Sequence, residues 1–417
     1  MQWILIGYLF LFIHRPFEIF PALGDIHLER VYMLGALAAL VVYPDKRWLP
    51  NKQHLAYFAF VAAVLFCWVC SPWFEKGQPA VEDYLKLIVF YVMIVSVVHD
   101  EKTLRLILLA FLGVMFVYML HSLKEFIGGR HVFRMGIDRM VGVDTTLGDP
   151  NSFGASIVYA LPMVVPFWVC RPSLLMRGFL ASYVGLSTLC IGLTGSRSSL
   201  LGVVLCGVVM VARSRRRYLW AALALAAAPV AFLALPDSLQ NRFETIIDPS
   251  VGPANARESG EGRVQGLVKG VELWSANPLT GIGPGVWRPA TKSKIESHNL
   301  FGQVIGETGT LGAVTFAAVL LCLALNLRAI RRMYLNHPEW GPTDFPRELT
   351  RAVGLAVFLM LFEGNFGHNL FRYNWLWYGG FLVIVLHCLR QREKAAEGFT
   401  PEADWRWKDS RRSRLPA

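Results

Sequence analysis

The chain is dominated by blocks of roughly twenty apolar residues separated by short segments in which Lys and Arg collect. About twenty apolar residues are what an α-helix needs to cross a bilayer. About twelve such blocks can be placed, near 2–21, 26–43, 54–71, 80–98, 103–126, 151–170, 173–194, 198–212, 216–235, 299–327, 350–370 and 374–390, the first and eighth being short or weak. Composition agrees: 54% of the residues are hydrophobic and 17% charged, against about 25% charged in an average soluble domain. The net charge of +11 is then assigned to basic loops and a basic tail, not to nucleic acid, for which no binding motif is present. The first block, in MQWILIGYLFLFIHRPF, lacks a basic leader and a small-residue cleavage site, so it is expected to be retained as a helix.

Sidedness follows from the loops. With the N-terminus inside, the inner connections are PDKRWLPNK (44–52), DEKTLR (100–105), RPSLLMR (171–177), RSRRR (213–217), the 328–351 segment and the tail, and these hold the basic clusters. The outer connections are near neutral; the longest, 236–297, holds seven basic and seven acidic residues. Within it, Val264, Leu267, Val268, Val271 and Trp274 recur at helical spacing, the apolar stripe of a short amphipathic helix placed at the membrane surface. The expected fold is thus an all-α membrane protein of about twelve transmembrane helices. Residues 1–390 form one bundle, 236–297 form a large outer loop with the amphipathic helix, and 391–417 form a basic inner tail. The seven cysteines lie in or beside apolar runs, and the Cys67/Cys70 pair has no second pair or nearby His to complete a zinc set.

This topology brings the unusual polar residues to the outer face. Arg197 in TGSRSSL, Asp149 and Asn151 in GDPNSFG, Arg263 and His298 in the long loop, and His368 and Arg372 in EGNFGHNLFRYNW all fall there. Charges at membrane depth are costly and are usually paired or functional. Each residue has two readings. Arg197 offers a planar fork suited to phosphate, or it reaches out to lipid headgroups. Arg263, expected in the first turn of the amphipathic helix, either forms an anion seat with that helix start or pairs with Glu258 or Glu261. His298 is either a general base or a helix-start residue capped by Ser297. Asp149 and Asn151 either cap the sixth helix or line a sugar path. The tetrapeptide HNLF occurs at 298–301 and again at 368–371. GIGPGV (281–286) does not follow a strand, so a dinucleotide reading fails and a turn is expected. No DxD stands in any outer loop.

His298-Asn299, nine residues, Gly309, two residues and Gly312 resemble the H-[NSQ]-x9-G-x-x-G signature of O-antigen ligases. GRVQGLVKGVELWSANPLTGIGPGVW (262–287) resembles the segment before that signature in the O-antigen ligase and polymerase superfamily. GSRSSLLG (195–202) is similar to its Ser-Arg turn, and GDPNSFG to one of its helix starts. The resemblance implies transfer of a glycan from undecaprenyl diphosphate to an acceptor hydroxyl, on lipid A–core or elsewhere, at the periplasmic face of the inner membrane. It implies an inverting reaction that needs neither metal nor other cofactor. It gives His298 the role of base and Arg197 and Arg263 the diphosphate. Glu307, Asn299, Asp149, Asn151, His368 and Arg372 remain candidates for supporting that site, Glu307 either by orienting it or by pairing with an Arg. A repeat-unit polymerase or a protein- or exopolysaccharide-directed ligase fits the same chemistry. A solute transporter fits less well, because no two-fold repeat with paired broken helices is visible.

Overall fold

A computed structural model describes residues 1–134, 136–144, 148–170, 172–214, 216–244, 255–293 and 296–396, and these are almost entirely helical. The first expected span is broken. Gln2–Ile13 (α1) ends at His14, and Pro16–Ile19 (α2) and Pro21–Asp25 (α3) restart on prolines. A proline has no N–H to give a preceding turn, so it opens a helix but cannot continue one. Arg15, between the pieces, takes φ 52°. Leu28–Val42 (α4), Gln53–Val69 (α5), Phe74–Val97 (α6) and Glu101–Ile127 (α7) follow.

Then comes a hairpin that the apolar blocks do not foretell, His131–Arg134 (β1) against Ile137–Met140 (β2). Its strands are antiparallel, with Arg134 opposite Ile137 and Val132 opposite Arg139. The sixth block is Pro150–Ala160 (α8), a 3₁₀ turn at Leu161–Val164 and Val165–Val169 (α9), divided where Pro162 and Pro166 enter. Leu174–Thr194 (α10), Arg197–Arg213 (α11) and Arg217–Leu233 (α12) continue the series. The long connection contains Asp237–Glu244 (α13), Asn255–Ala276 (α14) and Trp287–Thr291 (α15). Leu300–Asn336 (α16), Phe345–Glu363 (α17) and Tyr373–Ala396 (α18) close the bundle. The last helix therefore runs past the expected boundary at 390, and the rest of the expected tail, 397–417, lies outside the described residues.

Each expected span contains a helix. Four stretches, Glu101–Ile127, Pro150–Val169, Leu174–Thr194 and Leu300–Asn336, are long and apolar enough by themselves to cross a membrane. Apolar side chains of α4 (Val31, Leu34, Val41) and α12 (Leu219, Leu225, Leu233) are exposed, as lipid-facing side chains are. At the centre stands α18, where Trp375, Leu376, Trp377, Tyr378 and Phe381 to Leu386 are all buried. A helix apolar on every side belongs inside a bundle.

The packing that matters most for function is between α14 and α16. A Cβ on Gly270 would lie 2.4 Å from Gly302 O, and one on Gly302 would lie 2.3 Å from Gly266 O. Gly266 and Gly270 are four apart, as are Gly302 and Gly306, so each pair forms one bare stripe and the helices cross backbone to backbone. Further along, Gly309 breaks α16, with φ 59° and ψ −160°, and a Cβ there would lie 2.4 Å from Leu279 O. The GIGPG turn docks against that break: Ile282 N–H donates to Gly306 O at 3.0 Å, Gly283 N–H to Glu307 O at 2.9 Å, and Thr310 N–H to Pro278 O at 2.9 Å. The apolar stripe of α14 (Val264, Leu267, Val268, Val271) stays exposed on the other side, which suits a helix lying on lipid.

Candidate functional site

Arg197 is the first residue of α11, and its position is set by a turn of two caps. Gly195 closes α10 with φ 57°, a conformation that glycine adopts without cost. Ser196 then caps α11, its side chain accepting from Ser199 N–H. Two arginines distant in sequence hold the same turn. Arg139 of β2 donates through Nε to Thr194 O at 2.7 Å, and Arg242 of α13 donates through Nε to Gly195 O at 2.6 Å. Arg139 is only 2% exposed, and its Nη2 also reaches Asn151 Oδ1 at 2.8 Å.

Arg263 is not in a first helical turn. The helix begins at Asn255, which puts Arg263 in the third turn, so the expected anion seat at a helix start does not form. Arg263 instead stacks its guanidinium 4.7 Å from the centroid of Phe366, a cation–π contact that fixes its plane. The side chains of Glu258 and Glu261 lie outside the described residues.

These cations crowd one another. Burial, and then the charge of Arg197, push Arg263 down to about 10. Burial and the charges of Arg197, Arg134 and Arg263 push Arg242 to about 10. Burial and Arg242 bring Arg139 to about 9. All three remain charged at neutral pH, so the protein keeps like charges together that favour binding an anion.

His298 stands beside this cluster in a strained backbone. It has φ 45°, in the left-handed region that a histidine rarely adopts; such strain costs about 1–3 kcal/mol and collects at functional sites. Its neighbours impose the conformation. A Cβ on Gly266 would lie 1.8 Å from Ser297 O, so the chain entering His298 lies directly on α14. Arg288 holds Glu296 at 2.7 Å on the preceding side. On the following side Asn299, not Ser297, caps α16, its Oδ1 accepting from Gly302 N–H at 2.9 Å. Since Arg263 precedes Gly266 by three residues on the same helical face, one helix places both the arginine and the histidine. Burial holds His298 below the usual histidine value, helped by Arg134, Arg263 and Arg288 and opposed by Asp149. The imidazole is therefore neutral at pH 7, the form a general base requires.

The second HNLF comes to the first. The rings of His298 and His368 lie 6.0 Å apart, centroid to centroid. Between them is a small cleft of about 30 Å³ whose lining includes Asp149, Asn151, His298, Glu363, His368 and Arg372. Asp149 caps α8, accepting from Asn151 and Ser152 N–H, and also lines this cleft. Arg372 is anchored on α8, donating to Ser156 Oγ at 2.7 Å and Ser152 O at 3.3 Å.

Glu307 is the candidate that the structure places elsewhere. Its Oε2 accepts from Gly285 N–H at 3.0 Å and from Gln303 Nε2 at 3.4 Å, and among the described residues no Arg forms an ion pair with it. It fastens the GIGPG turn to α16 and so stabilises the frame behind His298. The residues that sequence reasoning passed over are Arg139, Arg242, Glu363 and Asn369. A signal for the first existed: HVFRMGIDRM alternates and has a Gly near its middle, as a hairpin does. Among the described residues, no three His, Cys, Asp or Glu side chains gather as metal ligands would.

The helical bundle has four helices long and apolar enough to cross a membrane, and a cluster of buried arginines stands beside a strained histidine. Residues 182–317 match the family model described as O-antigen ligase, which supports the resemblance to the O-antigen ligase superfamily over that segment. The matched segment contains Arg197, Arg242, Arg263, His298 and Glu307, whereas the hairpin, Asp149 and the second HNLF lie outside it. No curated protein matches the sequence. The match supports an enzyme of O-antigen ligase or polymerase type in general, and the long apolar helices suit a membrane.

Proposed function

We propose that the protein transfers a glycan from undecaprenyl diphosphate to an acceptor hydroxyl at the periplasmic membrane face, with inversion and without a metal. The observation that carries this reading is the junction of an arginine cluster with a neutral, strained histidine at one end of the bundle. In the proposed step the acceptor oxygen attacks the anomeric carbon, and the bond from that carbon to the diphosphate oxygen breaks. His298 takes the acceptor's proton. Arg197 and Arg263 bind the departing diphosphate and meet its growing charge, which is the electrostatic work that a divalent ion does in other transferases. Donors already ionised and held in a low-dielectric site need no reorganisation when the charge develops.

A ligase fits this chemistry best, and a repeat-unit polymerase shares it. Deleting the gene and profiling the glycans tests the choice. Long polymer left on the lipid carrier is expected for a ligase; single repeats alone would instead assign a polymerase, and an unchanged profile would remove both. Excess chelator is expected to leave transfer intact. Loss of activity that Mg²⁺ restores would overturn the metal-free route.

A further inference from the structure

The scheme above gives the second HNLF no task, yet its geometry is specific. Among the described residues, His368 Nδ1 and Asn369 Oδ1 are buried with no hydrogen-bond partner. The remainder of Asn369 is fixed: Nδ2 donates to Tyr159 Oη at 3.0 Å and to Met360 O at 2.8 Å. Leaving a buried polar atom unpaired is costly, so such atoms mark places where a ligand or a water completes the set. Both residues line the cleft of about 30 Å³ that His298 closes on its other side. That volume admits groups the size of a water, such as a hydroxyl.

Charge points the same way. The carboxylate of Asp149 lines the cleft. Its cation, Arg372, already donates to Ser156 and Ser152. Carboxylates accept hydrogen bonds from hydroxyls and repel a diphosphate; the arginines around Arg197 do the reverse. The site therefore offers two chemistries, arginines that suit an anion and a cleft with a carboxylate and unpaired polar atoms that suit a hydroxyl.

We propose that the 363–372 loop is the acceptor subsite, in which His368 and Asn369, with the Asp149 carboxylate, hold a saccharide hydroxyl against His298. This rests on the reading of His298 as the base. His368 is then a substrate-contacting residue, and the cross-tie from Asn369 to Tyr159 keeps its loop in place.

The test uses the full-length protein in lipid nanodiscs, with an undecaprenyl-diphosphate-linked saccharide as donor and rough-core lipopolysaccharide as the acceptor probe. His368→Ala is expected to raise the KM for acceptor at least tenfold while direct binding of undecaprenyl diphosphate stays within twofold. His368→Gln, which keeps a hydrogen-bonding side chain, is expected to recover most of that loss. Asp149→Asn keeps an N-cap oxygen on α8 but removes the charge, and a several-fold rise in acceptor KM is expected. An unchanged acceptor KM in His368→Ala, or a loss of undecaprenyl diphosphate binding as large as in Arg263→Ala, overturns the subsite. Failure of the parent reading looks different: His298→Ala would keep wild-type transfer, or the wild-type protein would move no saccharide to the probe.

Discussion

The two HNLF tetrapeptides are identical in sequence and differ in conformation. In the first, Asn299 serves the backbone, capping α16 through Gly302 N–H, and His298 is driven to φ 45°. In the second, the Asn369 side chain reaches across to Tyr159 and back to Met360, and its Oδ1 and the neighbouring His368 Nδ1 face no protein partner. The leucines bind the copies together. Leu300 N–H donates to Gly364 O at 2.6 Å, at the start of the second loop, and Leu370 N–H donates to Gln303 Oε1 at 3.4 Å, within the first helix. The same four residues thus make one strained helix start and one loop edge with two buried, unpaired polar atoms. What distinguishes them is what each packs against: glycines of α14 for the first, and the hydroxyls and carbonyls of α8 and α17 for the second.

The largest effect that separates the copies is on chemistry. His298→Ala is expected to lower the rate of transfer by about 10²–10⁴-fold, the usual contribution of a general base, while membrane insertion is retained. A single-turnover assay giving wild-type rates would make the two histidines equivalent and remove the assignment. Next come the cations on the first copy's side. Removing a charge-assisted contact costs about 1.5–3 kcal/mol. Arg197→Ala and Arg263→Ala are therefore each expected to weaken undecaprenyl diphosphate binding by roughly ten- to a hundred-fold. Arg139→Ala and Arg242→Ala, which act through the Thr194–Gly195 carbonyls, are expected to weaken it less. Equal losses in all four would show direct contact by Arg139 and Arg242, and no loss in any would dissolve the anion site.

Acidity gives a smaller, graded test. A base held below the ordinary histidine value of 6.5 stays neutral at neutral pH and is protonated only in more acidic solution. The rate at saturating substrates is expected to be flat near neutrality and to fall as the pH drops below that value, up to about tenfold per unit. A profile that falls on the alkaline side instead would identify an acid as the essential group. The smallest expected change is structural. Asn299→Ala removes the cap of α16 and should cost about 1 kcal/mol, read as a modest loss in thermal melting, with Asn299→Asp restoring it. Equal sensitivity at Asn369 would contradict the different uses of the two asparagines.

How much of this was legible beforehand varies with the type of signal. Apolar runs are long-range patterns with one meaning, so each expected span contains a helix, although prolines at 16, 21, 162 and 166 divided two of them. Arg197 and His298 stood out because a charge at the edge of an apolar block has few inexpensive explanations. Arg139 and Arg242 did not, because an arginine in a polar loop is ordinary until the fold aims it at a particular carbonyl. Glu307 was noticed for its burial in an apolar helix but its partner was not, since Gly285 offers a backbone N–H that no side-chain pattern reveals.

Helical class, membrane habit and the residue types of the site follow from local chemistry: hydrophobicity repeats along the chain, and a base and a cation are what they are wherever they lie. Which groups meet is a property of packing. The bare stripes on α14 and α16 allow backbones to touch, and that contact sets His298 in its strained pose beside Arg263. The break at Gly309 lets the GIGPG turn seat on α16. The second HNLF reaches the first because α16, α17 and α18 pack as neighbours, bringing together residues seventy positions apart that no local pattern connects.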